Sequence, residues 1–291
     1  MAEPGPAAAG GRTAGLPMLL GPAAGLLALI FVAPMCMVGV LSLHPYLGRG
    51  RTGEGFTTKN YVEFLGDPFY LSVLLTSMRI ALITVAITLV LAYPTAYFMA
   101  RTRSRLRSAL TFLVFAPLMV SILVRNLGWL PLLGLDGTIN TVLHAIGLTS
   151  APLRLANDVI GVEIGLVHAL LPYMILTLTG VIRSIAPEIE EASINLGAGP
   201  VETFVRVVLP LSRPGIITGC LLVFTLAVGA YTTPAIMGGN RVMVMPTYIA
   251  QQMQHLLNYP RGATAAIILL VLTGTLMAIS LWAGERRRPP S

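Results

Sequence analysis

The chain has 291 residues, of which 55% are hydrophobic and only 11% are charged, and its formal net charge is +7. A soluble domain carries roughly 25% charged residues, so this composition excludes a water-soluble globular protein and indicates an integral membrane protein. The two cysteines, Cys36 and Cys220, lie within apolar runs. They are interpreted as small core residues, and they imply no disulfide framework.

Six apolar segments are long enough to cross a bilayer core of about 30 Å, which takes roughly 20 helical residues. We predict an all-α membrane domain over 16–285, between a disordered Ala/Gly/Pro-rich tail at 1–15 and a basic cytoplasmic tail at 286–291. The first apolar run lacks the charged start and the cleavage site of a signal peptide, so it is interpreted as a span. The predicted spans are 17–42, 72–99, 108–130, 159–182, 215–237 and 264–282.

The third predicted span is the least regular, because Arg125 lies before its end. A long basic side chain at this depth is expected to extend to the membrane interface. Trp129 fits the aromatic belt found at the same level. We therefore keep 108–130 as a span.

The distribution of basic residues predicts the orientation. Both termini and the second and fourth connections share one side, which carries eleven Lys and Arg residues against seven on the other side, with Arg79 inside a span. Cytoplasmic loops carry the excess of basic residues, so both termini and the fourth connection are predicted to be cytoplasmic. The basic run at 101–107 is interpreted as a topology signal facing anionic lipid, rather than as a nucleic-acid site.

Two short helices are predicted in the connections on the outer side. Residues Thr247–Leu257 place Ile249, Met253, Leu256 and Leu257 at helical spacing, with Pro246 tolerated before the first turn. This apolar stripe is expected to lie on the outer membrane face or to pack on the span ends. The second is a short helix over Asn60–Leu65.

The chain carries no recognisable machinery for hydrolysis or metal binding. Its only lysine is Lys59, so no Gly-Lys-Ser/Thr phosphate loop is present, and it contains neither His-Glu-x-x-His nor Cys-x-x-Cys. Glu163 and His168 are five residues apart, roughly 140° around a helix, and do not form a dyad on one face. We therefore expect no cofactor on this chain and an energy source elsewhere.

A polar island, Glu191–Pro210, separates two long apolar runs. We predict a helix over Glu188–Leu196, a turn at Gly197, and a second helix over Glu202–Val208 that Pro210 ends. Two short helices at an angle form a compact knob that can enter a groove on a partner protein. An ordinary connection between spans remains the alternative on spacing alone.

The island resembles the EAA motif in permease subunits of binding-protein-dependent type I ABC importers. That motif has Glu-Ala-Ala, three residues, Gly, nine residues and Ile-x-Leu-Pro, and the chain departs from it only at Ser193 and Val207. The resemblance implies a coupling loop over 186–212 that docks on an ATP-binding subunit. It assigns that role to residues around Glu188, Glu191, Ala192, Ser193, Gly197, Val207, Leu209 and Pro210.

Most of the chain resembles the spermidine/putrescine-type branch of these permeases. The similar stretches are AYPTAYFMAR at 92–101 and the longer segments 56–82, 165–185 and 211–239. The resemblance implies a polyamine or a related small amine as substrate; an amino-acid-like compound or an opine, imported by the same mechanism, is the alternative.

The same resemblance implies the partners of a complete transporter in the bacterial inner membrane. These are a second permease subunit, often non-identical, two ATPase subunits that bind ATP and Mg, and an external substrate-binding protein. This chain then supplies part of a pathway that opens alternately to the two sides.

Ionisable groups within spans are costly and are candidates for the pathway. Arg79 and Glu163 lie in the second and fourth spans, with Asp158 near the same mouth. A carboxylate can guide a cationic amine, but Arg79 and Glu163 can also pair or extend to the interface. Tyr231, Thr232 and Thr233 precede Pro234, where the fifth helix is expected to loosen; a tyrosine face attracts ammonium, while simple helix packing is the alternative.

Two other classes of protein remain open. A secondary transporter or channel would work without ATP and would need a coupling-ion site, for which Arg79 and Glu163 are few. A membrane scaffold does not require the ordered EAA pattern. Co-purification of an ATPase separates these alternatives.

Overall fold

The computed structural model describes residues 15–102, 105–239 and 241–285, and these are mostly helical. Within these ranges, four helices are long and apolar enough to cross a membrane. They cover the first, second, fourth and sixth predicted spans: α1 (Gly15–Ser42), α3 (Pro68–Arg101), α7 (Val159–Ser184) and α14 (Tyr259–Glu285). The predicted tail at 286–291, and that at 1–15 apart from Gly15, lie outside the described residues.

The predicted third span, 108–130, is not one straight helix. It divides into α4 (Leu106–Met119) and α5 (Ile122–Leu133), and α5 leads into α6 (Thr138–Ala145). The helix axes bend by 96° at the break, where Val120 and Ser121 have extended ψ angles. A proline in the last turn of α4 removes a backbone donor there, which weakens the helix at this point.

The predicted fifth span, 215–237, is also interrupted. Helix α11 (Arg213–Val228) ends at Gly229, and a short helix α12 (Thr232–Met237) follows. Pro234 cannot donate a hydrogen bond to the carbonyl of Ala230, so a continuous helix would lose a bond at that position. By length and composition, the described residues contain up to six spans if two bent helix pairs, Leu106–Met119 with Ile122–Ala145 and Pro200–Leu211 with Arg213–Val228, are each counted as one.

The connection between α7 and α11 forms a helical hairpin. Its first helix is α8 (Pro187–Asn195). Its second begins as α9 (Pro200–Thr203), passes through a π-helical turn at Phe204–Val208, and ends as α10 (Leu209–Leu211). We refer to residues 187–211 as the hairpin. Its second helix meets α11 at an angle of 65°.

The remaining elements lie near the end of the bundle where α3 begins. A small antiparallel pair, β1 (Tyr46–Gly48) and β2 (Arg51–Thr52), precedes α2 (Lys59–Gly66), which covers the helix predicted at Asn60–Leu65. Helix α13 (Met245–Ala250) continues as a π-helical segment, Gln251–His255.

The helix predicted over Thr247–Leu257 starts earlier, and its predicted apolar stripe is packed only in part: Ile249 and Met253 lie against the start of α14. Met245, Tyr248 and Gln252 form its buried face, whereas Leu256 and Leu257 follow the helix and are exposed. The buried positions start at the first helical residue, ahead of the run on which the prediction was based.

The core is centred on α3 and α7, which make the most extensive contact in the bundle, and α11 packs against both. Met174, Leu178 and Ile182 of α7 are fully buried in this core. The outward face of α3 is apolar and exposed, as shown by Leu75 and Val90. An apolar outer surface of this kind is what a membrane-spanning bundle requires.

Candidate functional site

The hairpin holds all eight residues to which the EAA resemblance assigned the coupling role. Helix α8 begins at Pro187, with Glu188 and Glu190 in its first turn, where carboxylates are favourable beside the helix dipole. Gly197 follows with φ +94°, a conformation that side-chain-bearing residues rarely adopt. The predicted helix–turn–helix order is therefore present in the structure.

We predicted that the second helix of the hairpin ends before Pro210, but it does not. It runs to Leu211, because the π-helical turn changes the hydrogen bonding just ahead of the proline: Leu209 N–H donates to the carbonyl of Phe204, five residues back. This wider turn accommodates a residue that lacks a donor and whose ring would obstruct an ordinary helical turn.

The predicted coupling residues differ in exposure. Glu188, Glu191 and Ala192 are exposed on α8, whereas the Ser193 hydroxyl lies 3.1 Å from that of Thr203 and joins the two helices. The other positions, Val207, Leu209 and Pro210, are half-buried at the base of the second helix. Several large apolar side chains near the tip of the hairpin are also exposed: Ile189, Ile194, Leu196, Val201 and Val205.

The hairpin is attached to the end of α3 through residues that the sequence interpretation missed. Glu190 is buried and forms an ion pair with Arg101, and the Tyr97 hydroxyl donates to the same carboxylate over 2.8 Å. Arg101 was interpreted as a topology signal only. Tyr97 and Arg101 are four residues apart on one helical face, and this spacing was the available signal.

A cavity lies where the two interrupted helices meet. A cavity of about 480 Å³ contains residues from the break between α4 and α5, from α7, and from the break between α11 and α12. Its polar lining residues are Ser121, Arg125, Tyr173, Tyr231, Thr232 and Thr233.

Polar side chains hold the two breaks. The Arg125 guanidinium donates to the carbonyl oxygens of Pro117, in the last turn of α4, and of Val120, in the break. Asn126 Nδ2 donates to the Thr233 hydroxyl over 3.0 Å, and both residues are fully buried. Arg125 was expected to extend to the interface, but it caps the broken helix instead.

The structure does not gather the six predicted pathway residues. Tyr231, Thr232 and Thr233 line the cavity at the breaks. Asp158 caps α7, its carboxylate accepting from Val159 N–H over 2.6 Å. Glu163 lies in a separate apolar cavity of about 410 Å³, on another face of α7.

Two further sequence predictions concern the surroundings of Glu163. Arg79 is exposed, and within the described residues no ion pair within 4.0 Å joins it to Glu163. Trp129, assigned to an interfacial belt, is half-buried beside Glu163, and its indole N–H donates to His168 Nδ1 over 3.0 Å. Within the described part of the chain, no group of three or more His, Cys, Asp or Glu side chains is placed to hold a metal ion.

Comparison with known proteins identifies the family. Residues 92–287 match the family described as binding-protein-dependent transport system inner membrane component. The chain belongs to this family. The permease is 37% identical over 231 residues to the spermidine/putrescine transport system permease protein PotB of Escherichia coli K12, covering 79% of this chain and 83% of that protein. The PotB protein of Haemophilus influenzae is 38% identical over 234 residues, covering 79% and 82%.

A solved structure confirms the fold of the permease. A chain of a bacterial ABC transporter that imports the acidic polysaccharide alginate matches with a TM-score of 0.74 at 16% identity, covering 94% of the permease and 96% of that chain. The family match and the PotB relatives confirm the type I ABC importer permease expected from the EAA pattern, and the polyamine branch expected from the other similar stretches, for this multi-pass inner membrane protein.

Proposed function

We infer that the permease is a subunit of an ATP-driven importer of polyamines, such as spermidine and putrescine. Its similarity to the two PotB proteins over 79% of the chain is the observation that carries this assignment. The partner permease is proposed to be a non-identical homologue.

The proposed membrane arrangement has six spans, in which α4 with α5 forms the third span and α11 with α12 forms the fifth. The hairpin and both termini face the cytoplasm, as the eleven-to-seven distribution of basic residues favours. The β1–β2 pair, α2 and α13 then lie on the outer side of the membrane, and an external substrate-binding protein is proposed to deliver substrate from that side.

The hairpin is proposed to couple the permease to ATPase subunits. Its apolar tip supports this role, because Leu196 is 90% exposed and Val201 is 77% exposed at a level where no lipid core would cover them. Exposed apolar patches that are surrounded by polar residues commonly mark protein interfaces. ATP and Mg are proposed to bind to the partner ATPase, with two copies in each complex.

The cavity between the two breaks is proposed to form part of the substrate pathway. Irregular backbone at membrane depth is tolerated where it lines a cavity or is buried in protein, and transporters place substrate sites at interrupted helices. Tyr173 and Tyr231 offer aromatic faces to an ammonium group. The charge of Arg125 is directed to backbone carbonyls, which lessens its repulsion of a cationic substrate.

Two measurements test this proposal. A Leu196→Cys variant carrying a photoactivatable cross-linker is expected to capture the ATPase subunit, whereas the same linker at Leu148, in the connection after α6, is not. Calorimetry of the cognate binding protein against a panel of amines and amino acids is expected to show binding of spermidine or putrescine. Binding of amino acids alone would remove the polyamine assignment while leaving the coupling role intact.

A further inference from the structure

The end of α3 holds the first helix of the hairpin through a buried charged cluster. The side chains of Arg101 and Glu190 are only 19% and 12% exposed and form an ion pair. Tyr97 donates to the same carboxylate over 2.8 Å, and Arg101 also donates to the Ile185 carbonyl over 3.0 Å, just before α8. The carboxylate therefore has two partners on consecutive turns of one helix.

The same turns of α3 also hold the second helix of the hairpin. The Phe204 ring meets the rings of Tyr93 and Tyr97 edge to face, at centroid distances of 5.3 and 5.6 Å. The Tyr93 hydroxyl lies 2.6 Å from that of Ser212, directly after the hairpin. Both hairpin helices thus contact the final turns of α3, which favours movement of the hairpin and this end of α3 as one body.

Helix α3 connects this cluster to the opposite end of the bundle. Its 34 residues span about 51 Å at 1.5 Å per residue. Near its start, the buried Ser77 hydroxyl accepts a hydrogen bond from Met245 N–H over 2.7 Å, at the beginning of α13. Residues of α13 and Tyr231 line a common cavity of about 410 Å³. A displacement of α3 would therefore reach the surroundings of the second break.

We propose that the buried Glu190–Arg101 pair, with Tyr97, is the positioning link that carries movement of the hairpin into α3. This inference rests on the proposed coupling role of the hairpin. A buried ion pair is not required for stability, since apolar side chains of similar volume often stabilise as well or better. The pair adds a fixed, directional attachment. Apolar contacts do not provide this, because apolar surfaces can slide over one another.

The test uses the complete transporter in proteoliposomes: this permease, its partner permease, the ATPase subunits and the binding protein. Three quantities are measured for each variant: the amount of ATPase retained, the rate of ATP hydrolysis, and the uptake of labelled spermidine. Glu190→Gln removes the charge, and Tyr97→Phe removes only a hydroxyl. The matched control is Glu63→Gln, which breaks a Glu–Arg pair with Arg261, of 2.5 Å, at the other end of the bundle.

In Glu190→Gln, we expect retained ATPase and near-normal hydrolysis, with about tenfold less spermidine moved per ATP, within the roughly 5- to 150-fold range typical of coupled sites. Tyr97→Phe should lower the same ratio by a smaller factor, and the charge exchange Glu190→Arg with Arg101→Glu should restore part of it. Glu63→Gln should leave the ratio unchanged.

Two results would overturn the link. One is a normal ratio of spermidine to ATP in Glu190→Gln; the other is a partial loss of assembly that hydrolysis and uptake follow in proportion, which indicates a structural role only. If Glu190→Gln does not assemble, Tyr97→Phe decides, because a normal ratio there also rejects the link. Failure of the unaltered permease to retain ATPase or to move spermidine would instead reject the proposed function.

Discussion

The turn at Gly197 provides a direct test of whether the hairpin shape matters. Gly197 has φ +94° and Gly199 has φ −71°, and a Cβ added to either residue meets nothing within 4 Å. An alanine at 197 therefore adds conformational strain without a clash. For a residue with a side chain, a left-handed conformation costs roughly 1–2 kcal/mol. Alanine at 199 fits the existing conformation and is expected to stabilise the loop by about 0.4–1 kcal/mol.

This strain predicts a measurable loss of affinity between the permease and its ATPase. If docking requires the turn, 1–2 kcal/mol raises the Kd by roughly 5- to 30-fold. The assay is titration of purified ATPase onto the permease in nanodiscs, comparing Gly197→Ala with Gly199→Ala and with the unaltered chain. Equal affinities for the two variants would refute the reasoning, since the backbone conformation is the difference between the two sites.

Three further predictions follow from other parts of the structure. After replacement of the native cysteines, Leu196→Cys should react with a membrane-impermeant thiol reagent only in inverted vesicles, and Leu148→Cys only in intact cells; the opposite pattern would reverse the orientation. Gly161→Ala should lower the Tm, because the added Cβ would lie 2.5 Å from the Leu155 carbonyl oxygen. Gly180→Ala, on the same helix, is the control: its Cβ meets open space, and the Tm should not fall. Asn126→Ala should destabilise the permease by about 1–3 kcal/mol through loss of the buried hydrogen bond between the two broken spans, and an unchanged Tm would exclude this.

The long helices could be predicted from the sequence because residue type and length were enough. The runs that became α3 and α7 are apolar for longer than a bilayer core requires. The break at Val120 and Ser121 could not be predicted in the same way. It is held by Arg125, whose bonding to the end of α4 depends on the bend itself.

The candidate site was predictable only in part, for a related reason. The hairpin has local signals, namely Pro187, the acidic first turn and Gly197. Glu190 and Glu191 are neighbours in sequence, yet one is buried against Arg101 and the other is exposed. That difference depends on which face of α8 meets α3, and a single sequence does not contain this information.

The pathway residues show the same limit. Pro234 correctly indicated an irregular fifth helix, and Tyr231 lines the cavity beside it. Glu163 attracted attention as a carboxylate in an apolar run, but it lies in a different cavity. Whether either group contacts substrate stays a prediction.

The most direct test of the account is ATP-dependent spermidine uptake by proteoliposomes containing the complete transporter. We expect uptake that requires ATP, the binding protein and this permease, and that is lost when an ATPase subunit unable to hydrolyse ATP replaces the active one. Spermidine uptake that continues without ATP or without the ATPase subunit would contradict it.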